Sequence, residues 1–475
     1  MLKIDPFASI HELGVLIRSK GVSPVSITEF FLDRIKRLDK KLGAFVNVMG
    51  DYATAQAKIA EVELASGIDR GPLHGIPYAV KDLYHVAGFP TMAGTELLKN
   101  NVQTKDAFVI SRLREAGAVL LGKTHTVQFA YGGVGVNGQL GTPHNPWCKE
   151  AFIPGGSSSG SGVSVGAGMI PMALGSDTGG SVRIPASFNG VTGLKTTVGQ
   201  VSRSGVFPLS WSLDSVGPLT RNAHDAALVY QALAKKDEDD PSMSAYRKVG
   251  EFNDQKHNFE GFKIAFPSDI FRDDCDREVA EALDEAKHLI GKLGAHIVSE
   301  EFTAAREAVK LNPKGLVIAA EAYYSNRQIV DTHFDALDPI VAHRIIKGKD
   351  VTATEYLDIT RGLQEVRRIS EAFFEVCDAI IVPTVMIAPR RLSEVKDSIE
   401  MYAKTNLQCL RNTAIGNILN LSGVSIPCGY SKDGLPIGLM IYGKSFDEMK
   451  ILSMAHAYQR HTDWHNKRPD LSWAQ

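Results

Sequence analysis

The 27 residues from Gly155 to Ser181 hold nine glycines, seven serines and a single charged side chain, Asp177. No other stretch constrains the fold as strongly, because something there needs bare backbone. The whole chain has 43 glycines in 475 residues, about ten more than the usual ~7% would give, so the surplus is largely local. A flexible linker would share this composition, but it would not contain VSVGAGMIPMALG, and no compositional break separates two halves of the chain. The segment therefore reads as a buried loop with a chemical purpose. Consecutive glycines ahead of a serine let several backbone N–H groups converge on one point, which is how an oxyanion is stabilised. Ser181, after Thr178-Gly179-Gly180, stands where a nucleophile needs such donors.

Elsewhere the composition mainly excludes. With 52 basic against 54 acidic residues the formal charge is -2, so no basic field for nucleic acid or an anionic membrane is expected. The 44% hydrophobic content excludes disorder, and no apolar run approaches the ~20 residues that span a bilayer. The N-terminal MLKIDPFASIHELGVLI is interrupted by Asp5, Pro6, His11 and Glu12, which is not the pattern of a signal peptide, and a cytoplasmic location is expected. Five cysteines (Cys148, Cys275, Cys377, Cys409, Cys428), widely spaced and without CxxC, read as small buried hydrophobes, with neither a disulfide framework nor a metal site.

The periodicity is that of an α/β protein. Ile27, Phe30, Phe31, Ile35, Leu38 and Leu42 recur at helical spacing after Ser23-Pro24, and an Ala-rich helix follows over 52–65. Short apolar runs at 76–80 and 118–123 read as buried strands with a helix over 106–116 between them, and the alternation returns at GFKIAF, a helix over 276–293, and AHIVSE. Residues 304–376 read as a mainly helical excursion from the sheet before AIIVPT, VSIPCGY and GLMIYG. No repeat or linker is visible, so residues 1–475 read as one large unit.

Three short motifs do not survive their context. Gly117 to Thr124 satisfies GxxxxGK[ST], but a helix precedes it and its middle is a buried-strand run, the reverse of a phosphate loop. Gly133 to Gly138 fits GxGxxG, yet the QLGTPHNPW that follows cannot open the helix that would hold a pyrophosphate. GxSxG occurs at Ser158 and Ser164, where a nucleophile elbow would need a histidine partner that nothing singles out among 14.

GIPYAVKD (75–82), GGSSSGSG (155–162), GSDTGGSVRIPASFNGVTGLKTT (175–197) and SLDSVGPLTR (212–221) together resemble the amidase signature family, in its order and spacing. The resemblance covers nearly the whole chain, with a signature core over 75–221. It implies a large central mixed β-sheet flanked by helices on both faces, and hydrolysis of a carboxylic amide through a Ser-Ser-Lys triad without metal or organic cofactor. Residue for residue, Ser181 corresponds to the acylated nucleophile, Ser157 to the bridging serine after a cis peptide, and Lys81 to the base. The backbone N–H groups of Thr178, Gly179, Gly180 and Ser181 correspond to the oxyanion hole. Elementary chemistry agrees, since a lysine accepts a proton only when neutral, and the apolar IPYAV run and nearly charge-free Gly/Ser loop offer the desolvation that requires. Asp82, adjacent on a strand, should face away from Lys81, and Asp177 and Arg183 should form a loop-fixing ion pair. Many relatives read GGSSGG, so Ser159 replaces a glycine and would be strained if its φ were positive.

The resemblance extends to substrate contacts at Gln128, Ala130, Tyr131 and the loop around Trp211, with Tyr323 and Tyr324 contributed by the helical excursion. Aromatic groups there suit a small aryl or alkyl amide; carbamates, ureas, hydrazides and esters share the same acyl-transfer chemistry. The family also includes the glutaminase subunit of the tRNA-dependent amidotransferase. Against that alternative, Gln128 stands where the motif of that glutaminase is acidic, and an ungapped count back from Pro427 puts Leu410 at the place of its glutamine-binding aspartate. A free-standing amidase is therefore expected, and a homodimer is common among relatives.

Overall fold

The structure, a computed structural model, describes residues 4–250, 252 and 254–475, so the first three residues of the N-terminal stretch lie outside it. Among the described residues eleven strands form one sheet: β1 (Phe45–Val48), β2 (Pro77–Lys81), β3 (Val119–Thr124), β4 (Met172–Asp177), β5 (Thr192–Lys195), β6 (Ser215–Thr220), β7 (Lys263–Ala265), β8 (His296–Val298), β9 (Ala379–Pro383), β10 (Ser422–Tyr430) and β11 (Pro436–Gly443). Their order is β1-β3-β2-β4-β6-β5-β10-β11-β9-β7-β8. The sheet is mixed: β3, β2 and β4 are parallel neighbours, as are β9, β7 and β8, whereas β4-β6-β5-β10-β11-β9 are antiparallel. The strands alternate between two buried faces. Ile381, Leu439 and Ile441 enter one hydrophobic core, while their neighbours Ile380, Val382, Met440 and Tyr442 enter another, which is the period-two signature of a sheet covered on both sides.

The flanking helices follow local rules. Ser23 caps the helix Pro24–Leu42 with Pro24 in its first turn, Gly43 ends it at φ 59°, and its buried stripe is the one read from Ile27 to Leu42. Between β8 and β9 the chain leaves the sheet for the α-helices Thr303–Leu311, Leu316–His333, Pro339–Ile345 and Ala353–Phe373. Among the described residues no helix is long and apolar enough to cross a membrane.

The Gly/Ser segment departs from the loop reading over Ser159–Gly166, which form a buried α-helix. Glycine is present there for close approach: a Cβ at Gly160 would lie 2.2 Å from the Ala44 carbonyl oxygen and 2.4 Å from the His125 nitrogen. Ser159 opens this helix and is absent from the residues with positive φ, so the serine-for-glycine replacement introduces no backbone strain. The remainder supplies β4 and the turn before Arg183.

Candidate active site

Strands β2 and β4 are parallel neighbours with Val80 opposite Leu174, so both end at the same edge of the sheet, where ligands of parallel sheets bind. Lys81 is the last residue of β2 and is fully buried. Its Nζ donates to Ser157 Oγ at 2.7 Å and to Ser176 Oγ at 2.9 Å. Burial pushes the Lys81 ammonium down to about 7, while the negative charges of Asp214 and Asp177 oppose the shift. The neighbouring carboxylate does not neutralise it: Asp82 pairs with Lys123 at 2.7 Å, both 1% exposed. Lys123, the lysine of the phosphate-loop-like run, also donates to the Pro90 carbonyl at 2.6 Å from within β3.

The peptide Gly156–Ser157 is cis. Ser157 lies in a turn held by Gly156 N–H to the Gly133 carbonyl at 2.8 Å and by its own carbonyl, which accepts from Val127 at 3.2 Å. Ser158 N–H donates to the Ser181 carbonyl at 3.2 Å and joins this turn to the second one. Ser181 is 4% exposed where Ser157 and Lys81 are 0%, and among the described residues its hydroxyl has no hydrogen-bond partner. Ser161 and Ser164 bond within the scaffold, to the Leu174 and Ser161 carbonyls.

The turn before Ser181 is fixed by a fully buried ion pair. Asp177 accepts from Arg183 Nη2 at 2.9 Å and Nε at 3.0 Å, and Asn417 Nδ2 donates to the same carboxylate at 2.9 Å. Burial alone would raise the Asp177 pKa, but Arg183, Lys195 and Asn417 outweigh it and hold the carboxyl well below the usual carboxylate range. Asp177 Oδ1 also takes the Gly180 N–H at 2.8 Å, which corrects the four-donor expectation. The N–H groups left without a protein acceptor among the described residues are those of Thr178, Gly179 and Ser181. Gly180 has φ 136°, and a Cβ there would lie 2.2 Å from Thr413 Oγ1.

Two cavities flank these groups. The larger, about 540 Å³, is lined by Thr178 and Gly179 of the turn, by Tyr131, and by Ile318, Met386 and Leu410 among other mainly apolar groups. The smaller, about 240 Å³, is lined by Ser176, Asp214, Arg203 and Trp211. A cleft of about 750 Å³ near the chain termini contains none of these residues. Of the four expected substrate contacts, only Tyr131 is on the wall of the 540 Å³ cavity. Gln128 is instead consumed by structure: its Nε2 donates to Gln139 Oε1 at 2.8 Å and its Oε1 accepts Asp338 N–H at 2.9 Å. Ala130 is a buried backbone kink with φ 61°. Trp211 borders the smaller cavity, packed edge-on against Tyr324 at 5.3 Å, and Tyr323 donates to Asp331.

Two further polar groups stand at the site although the sequence gives neither of them a part in it. Ser176 shares Lys81 with Ser157, and Asp214 accepts Thr178 Oγ1 at 2.5 Å and the Leu209 and Ser210 N–H groups at 2.9 and 3.0 Å. Recognition of β4 would have exposed Ser176, because period-two alternation puts it on the opposite face from Asp177.

The sequence matches the profile of the amidase family over residues 26–452. The chain belongs to the amidase family. Its chemistry is thus the hydrolysis of amide C–N bonds, and the Ser-Ser-Lys triad is characteristic of that family. Among curated relatives, 2-amino-5-chloromuconic acid deaminase of Comamonas testosteroni is 34% identical over 453 residues, covering 94% of each chain. A glutamyl-tRNA(Gln) amidotransferase subunit of Coxiella burnetii is 34% identical over 490 residues, covering 98% of this amidase and 99% of that protein. Among solved structures, a chain of a vestigial protein complex that reveals the evolutionary origins of an s-triazine catabolic enzyme superposes with a TM-score of 0.88 at 29% identity, covering 96% of this chain and 98% of that one.

Proposed function

We propose that this amidase is a free-standing enzyme that forms an acyl-enzyme on Ser181, with Ser157 as proton bridge and Lys81 as base. The observation that carries the reading is the 2.7 Å contact between Lys81 and Ser157 at a fully buried lysine whose pKa is lowered to about 7. A neutral amine has one lone pair and two N–H groups. Donation of one N–H to Ser176 leaves the lone pair free to face Ser157, so the same hydroxyl that crowds the lysine also orients it. Lys81 takes the Ser157 proton as Ser157 takes that of Ser181, and Ser181 Oγ adds to the substrate carbonyl. The oxyanion receives the free N–H groups of Thr178, Gly179 and Ser181, each such donor being worth roughly 3–4 kcal/mol in the transition state. Reversal of the relay protonates the leaving amine, and water then adds to the acyl-enzyme by the same route.

The mainly apolar 540 Å³ cavity beside Thr178 and Gly179 suits a small aryl or alkyl amide. Carbamates, ureas, hydrazides and esters could enter the same acyl transfer, and their relative kcat/KM on a substrate panel ranks them. The 34% identity to an amidotransferase subunit over 98% of the chain favours a second reading, an obligate component of an amide-transfer complex. Leu410 on the cavity wall, where the amidotransferase glutaminase places an aspartate, weighs against it. Hydrolysis of a chromogenic anilide by the purified chain, with an acyl adduct on Ser181 by mass spectrometry, is the expected result. Turnover that appears only when a partner protein is added would transfer the assignment to the second reading.

A further inference from the structure

The charge on the wall of the 540 Å³ cavity is unbalanced. Arg344, Lys404 and Arg411 line it against one acid, Asp274, and among the described residues none of the three cations has an ion-pair partner within 4.0 Å. Arg344 is the innermost by its contacts. Its Nη1 donates to the Tyr131 carbonyl at 2.7 Å, its guanidinium lies 4.1 Å from the Tyr131 ring centre, and a Cβ at Gly132 would be 3.9 Å from that same Nη1. Gly132 is itself against the Ser157 turn, since a Cβ at Gly156 would meet the Gly132 oxygen at 2.9 Å. Arg411 donates one nitrogen to the Asp273 carbonyl, but its buried Nε has no partner. Lys404 and Asp274 are exposed at the mouth. A partly desolvated guanidinium without a counter-charge is costly unless a ligand supplies one, and a carboxylate is the ligand that fits its donor fork.

Leu410 defines what the ligand lacks. Its side chain would lie 3.4 Å from a Cβ at Gly179 and 3.1 Å from one at Gly133, so it covers the ground next to the free N–H donors. An ammonium close to the scissile carbonyl would be stripped of water against Leu410, whose side chain offers it no acceptor and no counter-charge. We propose that the substrate is an amide whose acyl part carries a carboxylate and no ammonium group, with Arg344 and Arg411 receiving the carboxylate and Leu410 excluding the amine. This rests on the acyl-transfer reading above.

Binding to the Ser181→Ala protein, measured by titration calorimetry, separates the two. The probes are succinamate, glutaramate and adipamate, their neutral diamides, and glutamine. At least one monoamide is expected to bind at least about tenfold more tightly than its own diamide and than glutamine, with the preference reduced towards unity in Arg344→Gln or Arg411→Gln and only partly restored in Arg344→Lys, which returns the charge without the fork. Equal or weaker binding of every monoamide, or a preference that persists in the Arg344→Gln/Arg411→Gln double variant, overturns the proposal. Fluorophosphonate labelling of Ser181 in the wild-type protein reports independently on the acyl-transfer reading, which fails if that serine stays unlabelled whatever the calorimetry shows.

Discussion

Lys81 titrates near 7 in the fold against about 10.5 in an open chain, because burial penalises the ammonium more than Asp214 and Asp177 favour it. Since only the neutral amine can act as base, kcat/KM should fall as pH drops below about 7 and level off above it, and a rate profile that is flat from pH 6 to 8 would remove Lys81 from that role. Proton linkage gives a second, catalysis-free reading. Between pH 7 and 10.5 the unfolded chain holds a proton on Lys81 that the folded chain has released, so this group makes stability rise with pH across that window. Wild type should therefore gain unfolding free energy relative to Lys81→Met as urea unfolding is moved from about pH 7 to pH 9.5. Ser181→Ala should abolish turnover, and Lys81→Ala and Ser157→Ala should each lower kcat by at least about a thousandfold, since three groups that pass one proton act as a unit.

At the scale of elements, the turn that presents Ser181 is anchored by charge and the turn that presents Ser157 by close packing. Asp177→Asn would leave Arg183 buried with no counter-ion, and the loss should be about 3–5 kcal/mol in urea unfolding, partly recovered in the double variant Asp177→Asn/Arg183→Met. The helix Ser159–Gly166 reaches its neighbours through bare backbone. Gly160→Ala puts a methyl 2.2 Å from a carbonyl oxygen that belongs to the backbone and cannot swing aside. We expect it to destabilise the fold by roughly 1–3 kcal/mol or more, read as a lowered urea midpoint, where Ala at an ordinary helical glycine would stabilise.

For the whole molecule, the site is assembled by one chain. β2 contributes the lysine, β4 and the turns beside it the serines, the helix Pro339–Ile345 brings Arg344, and Ile399–Ile418 brings Leu410 and Arg411. If no partner completes it, the specific activity of the purified chain on an anilide should stay constant on dilution and show no gain from added protein fractions. A steep fall on dilution would point to an assembly as the active species.

Much of this was legible in the order of residues. The helix stripe from Ile27 to Leu42, the strand runs at 76–80 and 118–123, and the helical stretch before β9 follow from periodicity, which depends on neighbours along the chain. The motifs that carry Lys81, Ser157 and Ser181 pointed to the chemistry by a different route, their joint resemblance to the amidase family. Strands β4, β5 and β6 were not legible, because they are rich in Gly, Ser and Thr and owe their state to pairing with distant strands. The glycine surplus was read as a loop for the same reason: composition records the lack of side chains, and only packing reveals that Gly160 leaves room for the Ala44 carbonyl. The expected contacts at Gln128 and Trp211 lie off the main cavity wall, and Arg344 and Arg411 lie on it, through contacts between residues more than one hundred positions apart in sequence. The motifs alone thus pointed to amide hydrolysis, through their joint resemblance to one family; the tertiary structure decided which charges line the main cavity, because those distances are set by how remote elements pack.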